Sequence, residues 1–289
     1  MAARLPDRLT RLPAALAAAL IAESQLRAAE RAAARLRENR DPEALHDFRV
    51  GVRRLATHLK AYAPVLGRAA RARRVQKLKR LLTLTNGLRD AEAGLAWLER
   101  RERALGGRDL AETRRLERKL RRALEDDAPR LERRALKRFR RQAGRLHRGL
   151  EAAIHEALPA GRRRAPFSAE AARVTRTCAR ELERRLARIR SLSDVEAQHR
   201  ARIAAKRVRY LLEEIPDGAR RARTAARAKA LQGLLGDIHD RSLLLDARLP
   251  PGPARLAERE RAELYGRLVT NLLRARRGRS ARSPATLAA

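Results

Sequence analysis

The chain has 289 residues, 44% hydrophobic but only 2% aromatic, so leucine and alanine supply the core and packed helices are favoured over sheets. With 70 Lys and Arg against 34 Asp and Glu, the formal net charge is +36, a field that repels itself in the compact state and attracts DNA, RNA, polyphosphate, nucleotides or an anionic membrane surface. Cys178 is the single cysteine, which excludes an intramolecular disulfide and a cysteine zinc cluster and suits a reducing interior.

The N-terminal stretch MAARLPDRLTRLPAALAAALIAES has basic residues before an Ala-rich run, in loose likeness to a signal peptide. Helical periodicity continues through Leu26, Ala29, Ala33 and Leu36, and nothing approaches the ~20 apolar residues of a membrane span. A cytoplasmic protein with no membrane partner is expected. Periodicity then predicts helices near 13–38, 42–62, 68–86 and 89–105, with Asp41-Pro42 opening the second and Gly106-Gly107 ending the fourth. Two strongly charged helices are expected near 109–125 and 128–157, laced with Glu and Arg three and four residues apart.

The segment PAGRRRAPFS, residues 159–168, reads as a linker. Helices near 169–191, 194–215, 219–237, 240–248 and 254–275 follow, with Ser168 and Asp194 as N-caps. Residues 276–289 have no apolar periodicity and are expected to be a disordered tail. Cys178 reads as a helix-packing residue.

Two stretches, ALHDFRVGVRRLATHLKAY at 44–62 and AQHRARIAAKRVRYLLEEI at 197–215, repeat one pattern. His46, Arg49, Arg53 and Arg54 correspond to His199, Arg202, Lys206 and Arg207, and Leu59 to Leu212. A second block repeats as well. Lys79, Leu88, Arg89 and Asp90 align with Lys229, Ile238, His239 and Asp240. A period this long implies duplication of a helical half rather than a solenoid.

At 100° per residue, His46, Arg49, Arg53, Thr57 and Lys60 form one stripe, opposite Leu45, Phe48, Val52, Leu55 and Leu59. In the second copy His199, Arg202, Lys206, Arg209 and Tyr210 share a stripe, opposite Ala201, Ala205, Val208 and Leu212. Basic stripes are usually solvated, and arginine richness alone can reflect genomic base bias. A one-sign stripe placed twice is costly unless an anion occupies it. Arg brings planar multi-donor contacts to phosphate oxygens, Lys a point charge, and His a donor that switches with pH. Asp90 and Asp240 read as helix caps.

The segments HDFRVGVRRL and HRARIAAKRVRYLLE, followed by LRDAE and LLGDIHD, resemble the CHAD domain, the conserved histidine α-helical domain. The resemblance spans roughly residues 12–275, in halves of about 12–157 and 168–275. It implies an all-α fold of two pseudo-symmetric four-helix bundles around a basic central groove or pore. It also implies inorganic polyphosphate as ligand, no catalysis, no cofactor, and association with polyphosphate granules in bacteria. The matching basic positions are His46, Arg49, Arg53, Arg54, His199, Arg202, Lys206, Arg207 and Arg209, joined by Lys60 from the stripe and by Lys79, Arg89, Lys229 and His239 from the later block. Leu55-Ala56 stands where the second copy has Val208-Arg209, so the first half is expected to bind more weakly. The ExExK strand that often accompanies this family is missing, and a standalone binding module is expected.

No Gly-Lys-Ser/Thr phosphate loop, metal-ligand spacing or serine elbow occurs. Nonspecific nucleic-acid binding is the second reading, weakened by the scarcity of aromatics for base stacking. An enzyme of polyphosphate metabolism is the third, and it would need acidic metal ligands beside the stripes. Under the first reading, binding needs no divalent metal, falls with salt and strengthens below pH ~6.5 as histidines protonate.

Overall fold

The computed structural model describes residues 8–38, 43–158, 165–215, 219–247 and 249–280. Among these the regular structure is helical: α1 (Ala14–Glu38), α2 (Ala44–Ala61), α3 (Ala63–Leu66), α4 (Ala72–Leu84), α5 (Asn86–Arg101), α6 (Gly107–Ala157), α7 (Phe167–Leu186), α8 (Val195–Glu213), α9 (Ala219–Asp246) and α10 (Pro251–Ser280). Three short 3-10 turns, at 9–11, 67–70 and 102–104, complete the order. The Asp41-Pro42 start, most of the 159–168 linker and residues 281–289 lie outside the described residues.

In the first half, α1, α2, α4 and the C-terminal part of α6 pack on one another; in the second, α7 packs on α8, α8 on α9, and α9 on α10. The principal core runs across both halves, joining Leu26, Phe48, Leu55 and Phe139 to Phe167, Val174, Val208 and Leu211. Trp97 and Leu98 of α5 meet Leu244 and Ala257 from α9 and α10 in a second cluster.

Alanine lets α1 and α2 approach closely. A Cβ added at Gly51 would lie 3.0 Å from the Ala29 Cα, so the chain spends helix propensity at Gly51 to bring two backbones together. Beyond this contact, Phe48 and Phe139 pack edge to face at 5.1 Å. At the opposite edge, Phe167 N–H donates to the Leu12 carbonyl at 2.8 Å, tying the start of α7 to that of α1. His58 is fully buried, with Nε2 on the Ala18 carbonyl at 2.9 Å and Nδ1 on Glu214 at 2.6 Å, which links α1, α2 and the end of α8.

Several expected boundaries are corrected. The two charged helices are one, α6, 51 residues long with Pro129 inside it, or about 77 Å at 1.5 Å per residue. Proline removes one hydrogen bond and disfavours the turn before it, but packing on both sides overrides it. Leu116 and Leu120 join the Trp97 cluster, while Leu131 and Ala135 join the principal core. The expected break near 238 is also absent, and α9 runs on through Ile238 and Leu244 because both are buried. The helix expected to end at 275 reaches Ser280.

Two caps differ as well. Ser168 is the second residue of α7, behind Pro166 as its N-cap. Asp194 does sit at the N-cap of α8, yet its carboxylate accepts from the Arg190 and Ser191 N–H groups, at 2.7 and 2.8 Å, and so closes the preceding loop. Cys178 is buried, as expected of a packing residue.

Candidate functional site

Helices α2, α4, α5, α8 and α9 enclose a cleft of about 640 Å³. The core faces of α2 and α8 fix its two main walls: with Leu45, Phe48, Val52, Leu55 and Leu59 buried on one side and Ala201, Ala205 and Val208 on the other, both basic stripes turn into the same space. His46, Arg49, Arg53 and Lys60 come from α2, and His199, Arg202, Lys206 and Arg207 from α8. Lys79 of α4, Arg89 of α5 and His239 of α9 complete the predicted residues that line it.

Arg54, Arg209 and Lys229 do not line the cleft. One residue along a helix turns the side chain by 100°, which carries Arg54 off the stripe of Arg53 to the α2–α8 seam, and Arg209 is held at the same seam by its own partners. There Arg54 donates to Glu213 at 2.8 Å and Arg209 donates to Glu213 at 2.7 Å and to Gln232 at 2.9 Å. Both guanidiniums also flank the Tyr210 ring, at 5.3 and 5.2 Å from its centroid. They are seam residues. Lys229 is exposed on α9 away from the cleft.

Arg49 lies at the cleft wall but is only 5% exposed. It donates to the Leu82 carbonyl at 3.0 Å, to Thr85 Oγ1, and to Asn86 Oδ1 at 2.9 Å. These bonds satisfy the carbonyl end of α4 and hold the turn into α5. Burial, then the neighbouring Arg53, lowers its pKa to about 10, which still leaves it charged. Its counterpart Arg202 has no such partner. Among the described residues Arg202 hydrogen-bonds only to the His199 Nδ1, at 3.5 Å, and its Nε is buried without an acceptor.

The remaining cations stand close together with few carboxylates. Eight Arg and Lys side chains line the cleft against Asp90, Asp237 and Asp240. Burial, followed by the charges of Arg202 and Arg53, lowers the Lys206 pKa to about 7. Lys60 is lowered chiefly by Arg207, then by burial and Lys79. The His199 and His239 rings meet at a tilt of 49°, with centroids 4.8 Å apart. Burial and then Arg202 depress both, His239 to about 4. The His239 Nδ1 is buried without a hydrogen-bond partner among the described residues. Both histidines are therefore harder to protonate than a free imidazole, and Lys206 is brought close to neutrality.

Asp90 and Asp240 are not caps. Asp90 is the fifth residue of α5 and Asp240 lies deep inside α9. Burial raises both carboxyl pKa values, and Arg49 and Arg202 respectively oppose that rise. Sequence reasoning also missed Asn86, Gln232 and Asp237. Had 219–246 been read as one helix, the spacing of Gln232, Gly236, His239 and Asp240 would have put them on one face. Among the described residues, no group of three His, Cys, Asp or Glu side chains could hold a metal ion. No helix among them is long and apolar enough to cross a membrane.

The family model for the CHAD domain matches residues 20–249. The chain belongs to the CHAD domain family. Its fold is similar to the crystal structure of the CHAD domain from the plant Ricinus communis, with a TM-score of 0.67 and 24% sequence identity over 93% of this chain and 91% of that one. No curated protein matches the chain in sequence. The family match takes in the whole of α2, α4, α5, α8 and α9, so every wall of the cleft belongs to the CHAD domain.

Proposed function

We propose that the cleft binds inorganic polyphosphate and holds it without turnover, with residence at polyphosphate granules as the cellular corollary. One observation carries the reading: the two basic stripes face each other across a single cleft, where Arg53, Lys60, Lys79, Arg202 and Lys206 have no carboxylate within ion-pairing distance among the described residues. Assembling like charges in a half-buried space is unfavourable, and a flexible chain of phosphates offsets that cost at every residue it meets. Arg202, with its unpartnered Nε, is the anchor. Lys206 regains its proton as the chain enters.

Nonspecific nucleic-acid binding has the +36 net charge in its favour. Base stacking does not, because Phe48, Tyr62, Trp97, Phe139, Phe167 and Tyr210 are all buried in the protein. The two readings separate in a competition assay at about 150 mM salt, where long-range attraction is screened beyond ~8 Å. Long-chain polyphosphate is expected to displace duplex DNA and heparin at lower phosphate concentration and to release no orthophosphate over the incubation. Equal competition by all three polyanions would reduce the site to charge alone.

A further inference from the structure

A second cavity, of about 250 Å³, lies between the turn at 67–70, α4 and the C-terminal part of α6. It shares no lining residue with the central cleft. Four arginines converge on it, Arg68, Arg74, Arg145 and Arg148, over an aliphatic floor of Leu66, Ala69 and Ala153. Glu156 is the only carboxylate in the lining.

Some arginines on α7 and α8 are paired with Glu one helical turn away, as Arg173 is with Glu170 and Arg200 with Glu196. None of these four arginines has an ion-pair partner among the described residues. Arg74 is the least exposed of them. Its one acceptor is the Ala69 carbonyl at 3.4 Å, a long bond. Burial and the charges of Arg71, Arg145 and Arg148 all act to lower its pKa. Gly149 makes this arrangement sterically open: a Cβ there would collide with the Arg74 guanidinium. Glycine in a helix interior costs about 1 kcal/mol relative to alanine, and the close approach of Arg74 is what it permits.

We infer that this arginine pocket is a second anion site, separate from the central cleft, that takes a compact phosphate anion of two or three charges such as pyrophosphate. Guanidiniums from three segments present planar donor pairs to one small space, the geometry that suits phosphate oxygens. Glu156 closes one edge with a negative charge, which disfavours a chain continuing in that direction and selects a small ion over a long one.

The test is calorimetric titration of the full chain with inorganic pyrophosphate at about 150 mM salt. Four further proteins are compared with wild type: Arg74→Gln/Arg148→Gln, Gly149→Ala, a charge-matched Arg115→Gln/Arg118→Gln on the exposed face of α6, and the cleft variant Arg202→Gln/Lys206→Gln. The expected result is a binding event weakened more than about tenfold in Arg74→Gln/Arg148→Gln. Gly149→Ala keeps every charge and favours the helix, so it tests the geometry even where the double variant folds poorly; it is expected to weaken the event several-fold. The same event survives in the charge-matched and cleft variants, which separates this site from the polyphosphate reading. Pyrophosphate affinity unchanged by both Gly149→Ala and Arg74→Gln/Arg148→Gln, or abolished by the cleft variant, would overturn the inference.

Discussion

Arg49 and Arg202 occupy matched positions of the repeated motif, and the fold uses them differently. Arg49 donates to the Leu82 carbonyl and to Asn86 Oδ1, at 3.0 and 2.9 Å, whereas Arg202 keeps a buried Nε with no acceptor among the described residues. Arg49 therefore serves the fold, and Arg202 is left available for the proposed ligand. Arg49→Ala leaves buried carbonyl and amide groups unpaired and is expected to destabilise the protein by about 2–3 kcal/mol. Arg202→Gln is expected to leave the melting temperature nearly unchanged and weaken polyphosphate binding by about tenfold. Thermal melts and binding isotherms on the same two variants check both halves of this expectation.

Lys206 gives the cleft a pH response near neutrality. Its pKa falls from 10.5 to about 7 through burial and the charges of Arg202 and Arg53, with Arg209 acting the same way and Asp240 opposing. A bound phosphate chain restores the charge, so binding takes up a proton above pH 7 and affinity falls as pH rises through that value. Lys206→Gln is expected to flatten this slope and Lys206→Arg to flatten it while keeping affinity. The fold responds in the opposite sense. Between pH ~7 and 10.5 the unfolded chain holds the Lys206 proton and the empty folded protein does not, so this group's contribution to stability rises with pH across that window. Chemical denaturation across the window, wild type against Lys206→Gln, measures it.

His147 on α6 bridges two carboxylates of α1, with Nδ1 3.1 Å from Glu23 and Nε2 2.9 Å from Glu30. Burial lowers its pKa, but the hydrogen bonds and charges of Glu30 and Glu23 outweigh that and leave it above the usual histidine value. A raised folded-state pKa means the stabilisation is complete below the unfolded pKa and is lost as pH rises through the folded one. His147→Gln is expected to lower the melting temperature by a few degrees, about 2–4 °C, at pH 5 and by less at pH 8.5. Melts at the two pH values decide it.

Gly51 sets the spacing of α1 and α2. A leucine there would force its Cβ to within 3.0 Å of the Ala29 Cα and its branch beyond. Gly51→Leu is expected to cost about 1–3 kcal/mol through overpacking. Because α2 carries one wall of the cleft, polyphosphate affinity should fall with it. Denaturant midpoints and binding on the same sample test the link.

Much of this was legible in the sequence. The core residues of α2 and α8 show helical spacing, and the stripes opposite them predicted His46, Arg53, Lys60, His199, Arg202 and Lys206 as one surface, which the structure gathers into one cleft. What escaped was long-range. The acceptors of Arg49 lie 33 to 37 residues away, so no local pattern marks it as a clamp. Arg54 and Arg209 share the chemistry of the stripe, and only the α2–α8 contact assigns them to Glu213. The helix ends expected at 125 and 237 follow local preference, which packing at Leu120, Leu131 and Ile238 overrides. The same local reading places Asp90 and Asp240 at helix starts, where they would cap.

The most direct test is polyphosphate affinity at about 150 mM salt for wild type, Arg202→Gln/Lys206→Gln and the charge-matched Arg115→Gln/Arg118→Gln. Both double variants remove two positive charges, so bare electrostatic attraction falls equally. Binding through a shaped cleft predicts a loss of more than about tenfold in the first and less than about threefold in the second. Equal losses in the two would contradict the assignment of the central cleft as the polyphosphate site.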